Sequence, residues 1–118
     1  MARLWLSAMA QADIVNMLAW TSQRFGIAAQ QRYERLLSSA LVALLADPGR
    51  IGSVARPELG DGVRSYHLRH SKRHSSVARP RHLILYRIGD SRTVEVGRVL
   101  HDAMELARHA QFEFPPEP

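Results

Sequence analysis

PRHLILYRIGDSRTVEVGRVLHD, residues 80–102, is the stretch whose reading decides the fold. His82 to Ile88 and Thr93 to Leu100 are β-branched and aromatic runs on either side of Gly89-Asp90-Ser91, a turn signal, so the segment reads as a β-hairpin. Leu83-Ile84-Leu85-Tyr86 is apolar at both alternating positions, which places that strand centrally in a sheet with both faces covered. Upstream, Val63 to Arg69 reads as a further strand, and Arg3 to Ala8, around Leu4-Trp5-Leu6, as a first one.

Between the first strand and the others the period changes from two to about 3.6. Ile14, Val15, Leu18 and Ala19 give an apolar stripe to a helix over about Ala12 to Phe25, with Asp13 in its first turn and Gly26 as its stop. Tyr33, Leu36, Leu37, Ala40, Leu41, Leu44 and Leu45 give a second helix, from about Ala28 to Ala46, ended by Asp47-Pro48-Gly49. The short connector makes an antiparallel helical hairpin. Residues 49 to 62 are Gly, Pro and Arg rich and are expected to form a surface loop. A short helix is expected from Asp102, as N-cap or first-turn residue, to about Ala110. Residues 111–118, with three prolines, read as a tail. The expected fold is α+β: an N-terminal strand, an antiparallel helical hairpin packed on a mostly antiparallel four-stranded sheet, and a short C-terminal helix, in one domain over 1–118. The face of the sheet away from the hairpin is left either wet or as a binding surface.

At 118 residues and 13.3 kDa, folding buries about two-thirds of the chain's surface, enough for a core without metal or disulfide help. The absence of cysteine excludes disulfides, thiolate zinc sites and thiol nucleophiles, and fits a reducing compartment. No apolar run approaches the roughly 18 residues of a membrane span, and the start reads as a strand rather than a signal peptide.

Charge is the sharpest compositional feature. Fifteen Arg and one Lys face eleven acids, a formal +5. From Gly62 to Gly89 there is no acid, while Arg64, Arg69, Lys72, Arg73, Arg79, Arg81 and Arg87 are interleaved with His67, His70, His74 and His82. One reading is an anion-binding surface for nucleic acid, an acidic protein or an anionic membrane; the other is a solvated basic connection with neutral histidines. Few aromatics accompany the patch, so a base-stacking platform is poorly supported. A metal site at His67, His70 and His74 is disfavoured: strand alternation separates 67 from 70, and no cysteine or nearby carboxylate completes the set. Arg98 and His101 lie where the last strand meets the short helix. His101 either serves as general acid or base in RNA cleavage, with Arg64, Arg87 or Arg98 stabilising the phosphorane-like state, or simply caps and packs that helix. Glu95 is expected to pair with a neighbouring arginine. No phosphate loop, nucleophile elbow or carboxylate pair is present, which disfavours a small-molecule enzyme.

Trp20-Thr21 and Phe25-Gly26 before the leucine-bearing helix, Asp47-Pro48, then Gly62-Val63-Arg64, make an ordered set. It continues with Pro80-Arg81-His82, Leu85-Tyr86-Arg87, Arg98-Val99-Leu100-His101-Asp102, Met104 and Arg108-His109. Over about residues 3 to 110 the set resembles the ParE family of the RelE/ParE toxin superfamily. The resemblance implies a cytoplasmic toxin of a bacterial type II toxin–antitoxin pair that poisons DNA gyrase without being an enzyme and without a cofactor. It implies neutralisation by a ParD-like antitoxin in a hetero-oligomer, with DNA reached only through antitoxin or gyrase, and no membrane. RelE-like relatives instead cleave messenger RNA on the ribosome with basic residues and a late tyrosine. By resemblance Arg64, Arg87, Arg98 and His101 stand at such positions, but no tyrosine follows Tyr86, which favours gyrase. A non-toxic antitoxin binder is a third reading. Arg64, Arg69, Arg73, Arg81, Arg87 and Arg98 are the expected antitoxin- or target-binding cations. Trp20 and Leu45 either join them at an edge or pack in the core.

Overall fold

The structure is a computed structural model that describes residues 2–104 and 106–109; the expected tail at 111–118 lies outside the described residues. Five strands form one sheet in the order β1-β5-β4-β3-β2. They are β1 (Arg3–Leu6), β2 (Ser53–Ala55), β3 (Arg64–His67), β4 (His82–Ile88) and β5 (Thr93–His101). β1 runs parallel to β5 and every other pairing is antiparallel. Two helices, α1 (Ala8–Phe25) and α2 (Ile27–Ala46), form the hairpin, and α3 is one turn, Leu106–His109.

The helical hairpin and the central position of β4 are as the hydrophobic pattern predicts. Gly26 joins the helices at φ 91°, a conformation open to glycine, and its N–H donates to Ser22 C=O. Leu36, Leu37, Ala40 and Leu44 of α2 pack with Ala10 and Met17 of α1 on Tyr66, Ile84, Tyr86, Val94, Val96 and Val99 of the sheet. Each large aliphatic side chain so buried contributes about 1.5–3 kcal/mol of transfer free energy. Leu45 is half-buried and packs on this same core. The other sheet face is neither wet nor open: Leu83, Leu85 and Leu100 form a second small cluster, covered by Leu59 and Leu106.

Several expectations are corrected. The sheet has five strands rather than four, because Ser53–Ala55, inside the expected 49–62 loop, pairs with β3. None of its three residues is buried, so no hydrophobic alternation announces it. α1 starts at Ala8, not Ala12. Ser7 is its N-cap, its Oγ accepting from Ala10 N–H (2.9 Å) and donating to Gly97 C=O (2.6 Å). Asp13 is therefore beyond the first turn, and its carboxylate has a tertiary partner instead. β3 stops at His67 because that imidazole turns back to accept Arg69 N–H at its Nδ1 (3.0 Å), opening a 3-10 stretch over Leu68–His74. His70 thus belongs to that stretch, and the strand alternation invoked for it does not apply. Asp102 is not a helix cap; it pairs with Arg81 and His67. No helix among the described residues is long and apolar enough to cross a membrane.

Candidate partner-binding groove

β1 pairs with β5 only as far as Leu6↔Val96. Beyond it Gly97 is an extra residue: Tyr86 pairs with Val96 and Leu85 with Arg98, so β5 bulges there. The bulge advances the register by one, bringing His101 opposite His82. Without it, counting back from the hairpin turn would set His82 against Leu100. From Gly97 onward no strand lies on the outer side of β5 among the described residues, and α1 crosses in its place. The result is a groove of about 330 Å³ whose walls include Asp13, Trp20, His82, Arg98, His101 and Met104.

The groove floor is a network of paired polar groups. Arg98 Nε and Nη2 donate to the Asp13 carboxylate at 2.7 and 2.9 Å, and Val99 N–H donates to the same carboxylate at 3.0 Å. Asp13 thereby takes the place of a neighbouring strand for one amide of the open edge. Tyr33 Oη accepts Arg81 N–H (3.0 Å) and lies 2.7 Å from His82 Nδ1. Burial pushes the Tyr33 hydroxyl above its ordinary pKa, so it keeps its proton and donates it to His82 Nδ1. That bond requires neutral His82 with its proton on Nε2. Burial, then the neighbouring His101, lower the His82 pKa to about 4, in agreement. The two imidazoles meet edge to face at 5.3 Å, and His101 Nδ1 accepts Ala103 N–H at 3.1 Å. Asp102 sits alongside, held to about 2 by its hydrogen bonds from Arg81 and then His67.

At the rim Trp20 is half exposed, with Phe25 edge-on at 5.8 Å and the Arg24 guanidinium 5.4 Å from its ring centroid. Phe25 and Ile27, at the hairpin tip, are still more exposed. An exposed apolar cap beside a polar groove makes this surface the candidate site for a partner segment.

Of the residues singled out in the sequence, the structure brings Trp20, Arg98 and His101 together in the groove, with Arg81 next to it through Asp102 and Tyr33. The others stand elsewhere. Arg64 donates to Ser53 Oγ (2.7 Å) across the β2–β3 edge. Arg87 pairs with buried Glu95 at 2.6 Å, as expected for Glu95. Arg69 and Arg73 are exposed in the 3-10 stretch, and Leu45 is in the core. His101 packs on His82 and accepts Ala103 N–H in the turn just beyond β5, so it does not cap the helix expected from Asp102, which instead begins at Leu106. Asp13 and His82 are groove residues that the sequence reading missed as such. Tyr33 is buried in the core, as its place in the helical stripe predicts, and holds His82 from behind; only the Gly97 bulge reveals that His82 faces His101.

A profile of the ParE toxin of type II toxin–antitoxin systems, the parDE type, matches residues 5–106. The match runs from Trp5, within β1, to the first residue of α3, and so covers every wall of the groove. Two relatives, both Toxin ParE1, from Mycobacterium tuberculosis strains CDC 1551 / Oshkosh and ATCC 25618 / H37Rv, are each 31% identical over 108 residues. In both cases the alignment covers 92% of this chain and 97% of the relative. With the hairpin-on-sheet architecture, these matches show that the chain belongs to the ParE toxin family of the RelE/ParE superfamily, the toxin side of type II toxin–antitoxin systems.

Proposed function

We propose that this toxin acts by poisoning DNA gyrase in the cytoplasm and is held inactive by a ParD-like antitoxin whose flexible segment lies in the α1–β5 groove. The observation that carries the choice between gyrase poisoning and RNA cleavage is the engagement of the would-be catalytic groups. Arg98 is committed to Asp13 and Arg87 to Glu95. A phosphate-stabilising arginine needs its fork free. Groups already paired in this way serve the scaffold. The groove and the Trp20 rim favour an antitoxin segment instead, with an apolar anchor at the hairpin tip.

The test is a gyrase supercoiling and cleavage assay with purified toxin, with and without the antitoxin encoded beside it. Loss of supercoiling with accumulation of linear DNA, reversed by antitoxin, is the expected result. Intact gyrase activity together with cleaved transcripts on programmed ribosomes would replace this reading with the ribonuclease one. Inactivity in both would mark a non-toxic antitoxin binder. For the groove, Trp20→Ala should leave the unfolding midpoint nearly unchanged, because the ring is half exposed. It should weaken antitoxin binding about 30-fold, the loss expected of a central aromatic anchor. Unchanged affinity would remove the antitoxin from this rim.

A further inference from the structure

A second pocket, of about 340 Å³, lies between α2, the Arg50–Ile51 turn and the 3-10 stretch. It shares no residue with the groove. Its polar lining is Ser39, Arg50, His70, Ser71 and Arg73, with no carboxylate. Among the described residues, Arg50 Nε is the one buried side-chain nitrogen or oxygen without a hydrogen-bond partner. A cationic donor left unmet in a buried position is costly, so an acceptor from outside the chain is called for. The guanidinium is already fixed: it lies over the Tyr66 ring at 5.6 Å from the centroid, and the Tyr66 hydroxyl bonds Ser71 Oγ at 2.8 Å. His70 is fixed as well, its ring stacked at a tilt on Tyr66 (5.6 Å) and against Gly52, where a Cβ would clash with it.

We propose that this pocket binds the phosphate group of a small phosphorylated ligand such as a nucleotide. Polar side chains line the pocket from α2, the turn and the 3-10 stretch. Two guanidinium forks, an imidazole and two hydroxyls are more than the two oxygens of a carboxylate can satisfy, whereas a phosphate presents three or four acceptors. The volume exceeds that of a bare oxyanion, and Ile51, 95% exposed at the mouth, offers an apolar contact for the organic remainder. Desolvation, and then Arg69, His67 and Arg50, lower the His70 pKa. An anion between Arg50 and His70 relieves the part of that repulsion that arises within the pocket.

The experiment is NMR of the full-length 15N-labelled chain, following backbone amides and the Arg50 Nε–H while titrating inorganic phosphate, AMP and, separately, acetate. Phosphate and AMP should shift Arg50 Nε–H, Ser71 and Arg73 together. Binding of AMP tighter than phosphate, with Ile51→Ser abolishing only the difference, assigns a nucleotide; equal binding assigns the phosphate group alone. Arg50→Gln and Arg73→Gln should each weaken binding about tenfold, as loss of one charge-assisted bond does. Arg73 is exposed, so its variant keeps the test valid if Arg50→Gln unfolds by losing its contact with Tyr66. No shift at Arg50 Nε–H in millimolar phosphate, or an equal response to acetate, overturns the proposal. None of these outcomes depends on gyrase, so the site and the proposed toxin action fail separately.

Discussion

Replacing Asp13 with alanine removes three hydrogen bonds at once and should be among the most destabilising single changes outside the core. The pair it forms with Arg98 is largely shielded, with side-chain exposures of 16% for Asp13 and 13% for Arg98. Removing one member of a buried pair costs about 3–5 kcal/mol, because the remaining charge stays desolvated. Stranding Val99 N–H adds about 1–3 kcal/mol. The groove admits water, which relieves part of both, so the expected loss is about 3 kcal/mol. Against a total of about 5–15 kcal/mol for a domain this size, that is substantial. Arg98→Ala should cost less, about 1.5 kcal/mol, because the carboxylate it leaves still accepts Val99 N–H. The double variant should fall short of the sum by at least about 1 kcal/mol, as contacting partners do. Urea unfolding followed by far-UV circular dichroism reads all three. With a slope of about 2 kcal/mol per molar, Asp13→Ala should lower the midpoint by about 1.5 M. A cost below about 1 kcal/mol, or strictly additive single changes, would refute the claim that Asp13 replaces a neighbouring strand for β5.

Two further outcomes follow from groups nearby. Folded His82 titrates at about 4 against 6.5 for a free imidazole, so as pH falls from 6.5 the unfolded chain takes up a proton that the folded chain refuses. Stability should therefore drop by about 1.4 kcal/mol per unit down to pH 4, about 3 kcal/mol in all. Asp102, depressed from 3.8 to about 2, adds a second loss below pH 3.8 as its carboxylate protonates. Urea midpoints against pH should show both steps; if His82→Gln leaves the slope between 6.5 and 4 intact, the first assignment is wrong. Gly89→Ala would push a Cβ into the Glu95 carboxylate that holds Arg87. It should cost about 2 kcal/mol, a drop of several degrees in Tm, whereas Gly49→Ala, with nothing within 4 Å, should be nearly neutral. Relief of the loss by Glu95→Ala in the same chain checks the mechanism, and an unaltered Tm for Gly89→Ala sinks it.

What could be read from the sequence follows which signals are local. Leu36, Leu37, Ala40 and Leu44 recur with the helical period, and Leu83 to Tyr86 is apolar throughout, so α2 and β4 were legible. β2 was not, because an edge strand with no buried residue leaves no period to read. Ser7 sits where a strand and a helix abut without a loop, so the apolar run hid the cap. The groove was legible only in part, since its cohesion is long-range. Asp13 and Arg98 are 85 residues apart, and Tyr33 and His82 are 49 apart. The pairing of His82 with His101 depends on a one-residue bulge that no composition rule locates.

The basic stretch shows how local reading misassigns charge. Between Gly62 and Gly89 no acid occurs, yet the sheet brings counter-charges to two of its seven cations. Glu95 reaches Arg87 across the β4–β5 ladder, and Asp102 reaches Arg81 from just beyond it. Arg64 is tied to Ser53. Arg69, Lys72, Arg73 and Arg79 remain, all exposed in the connection from β3 to β4, and no carboxylate pairs with them among the described residues. The repulsion is therefore concentrated in one connection rather than spread over a sheet face. Leu68 and the Tyr66–Ser71 bond hold that connection down. A charge excess kept on a fixed, packed connection is screened only by salt or by an arriving anion. It follows that electrostatic steering of an acidic partner by this stretch belongs to residues 69–79, while Arg81 and Arg87 tie β4 to β5 and Arg98 ties β5 to α1, and the two sets of arginines should be separable by their salt dependence.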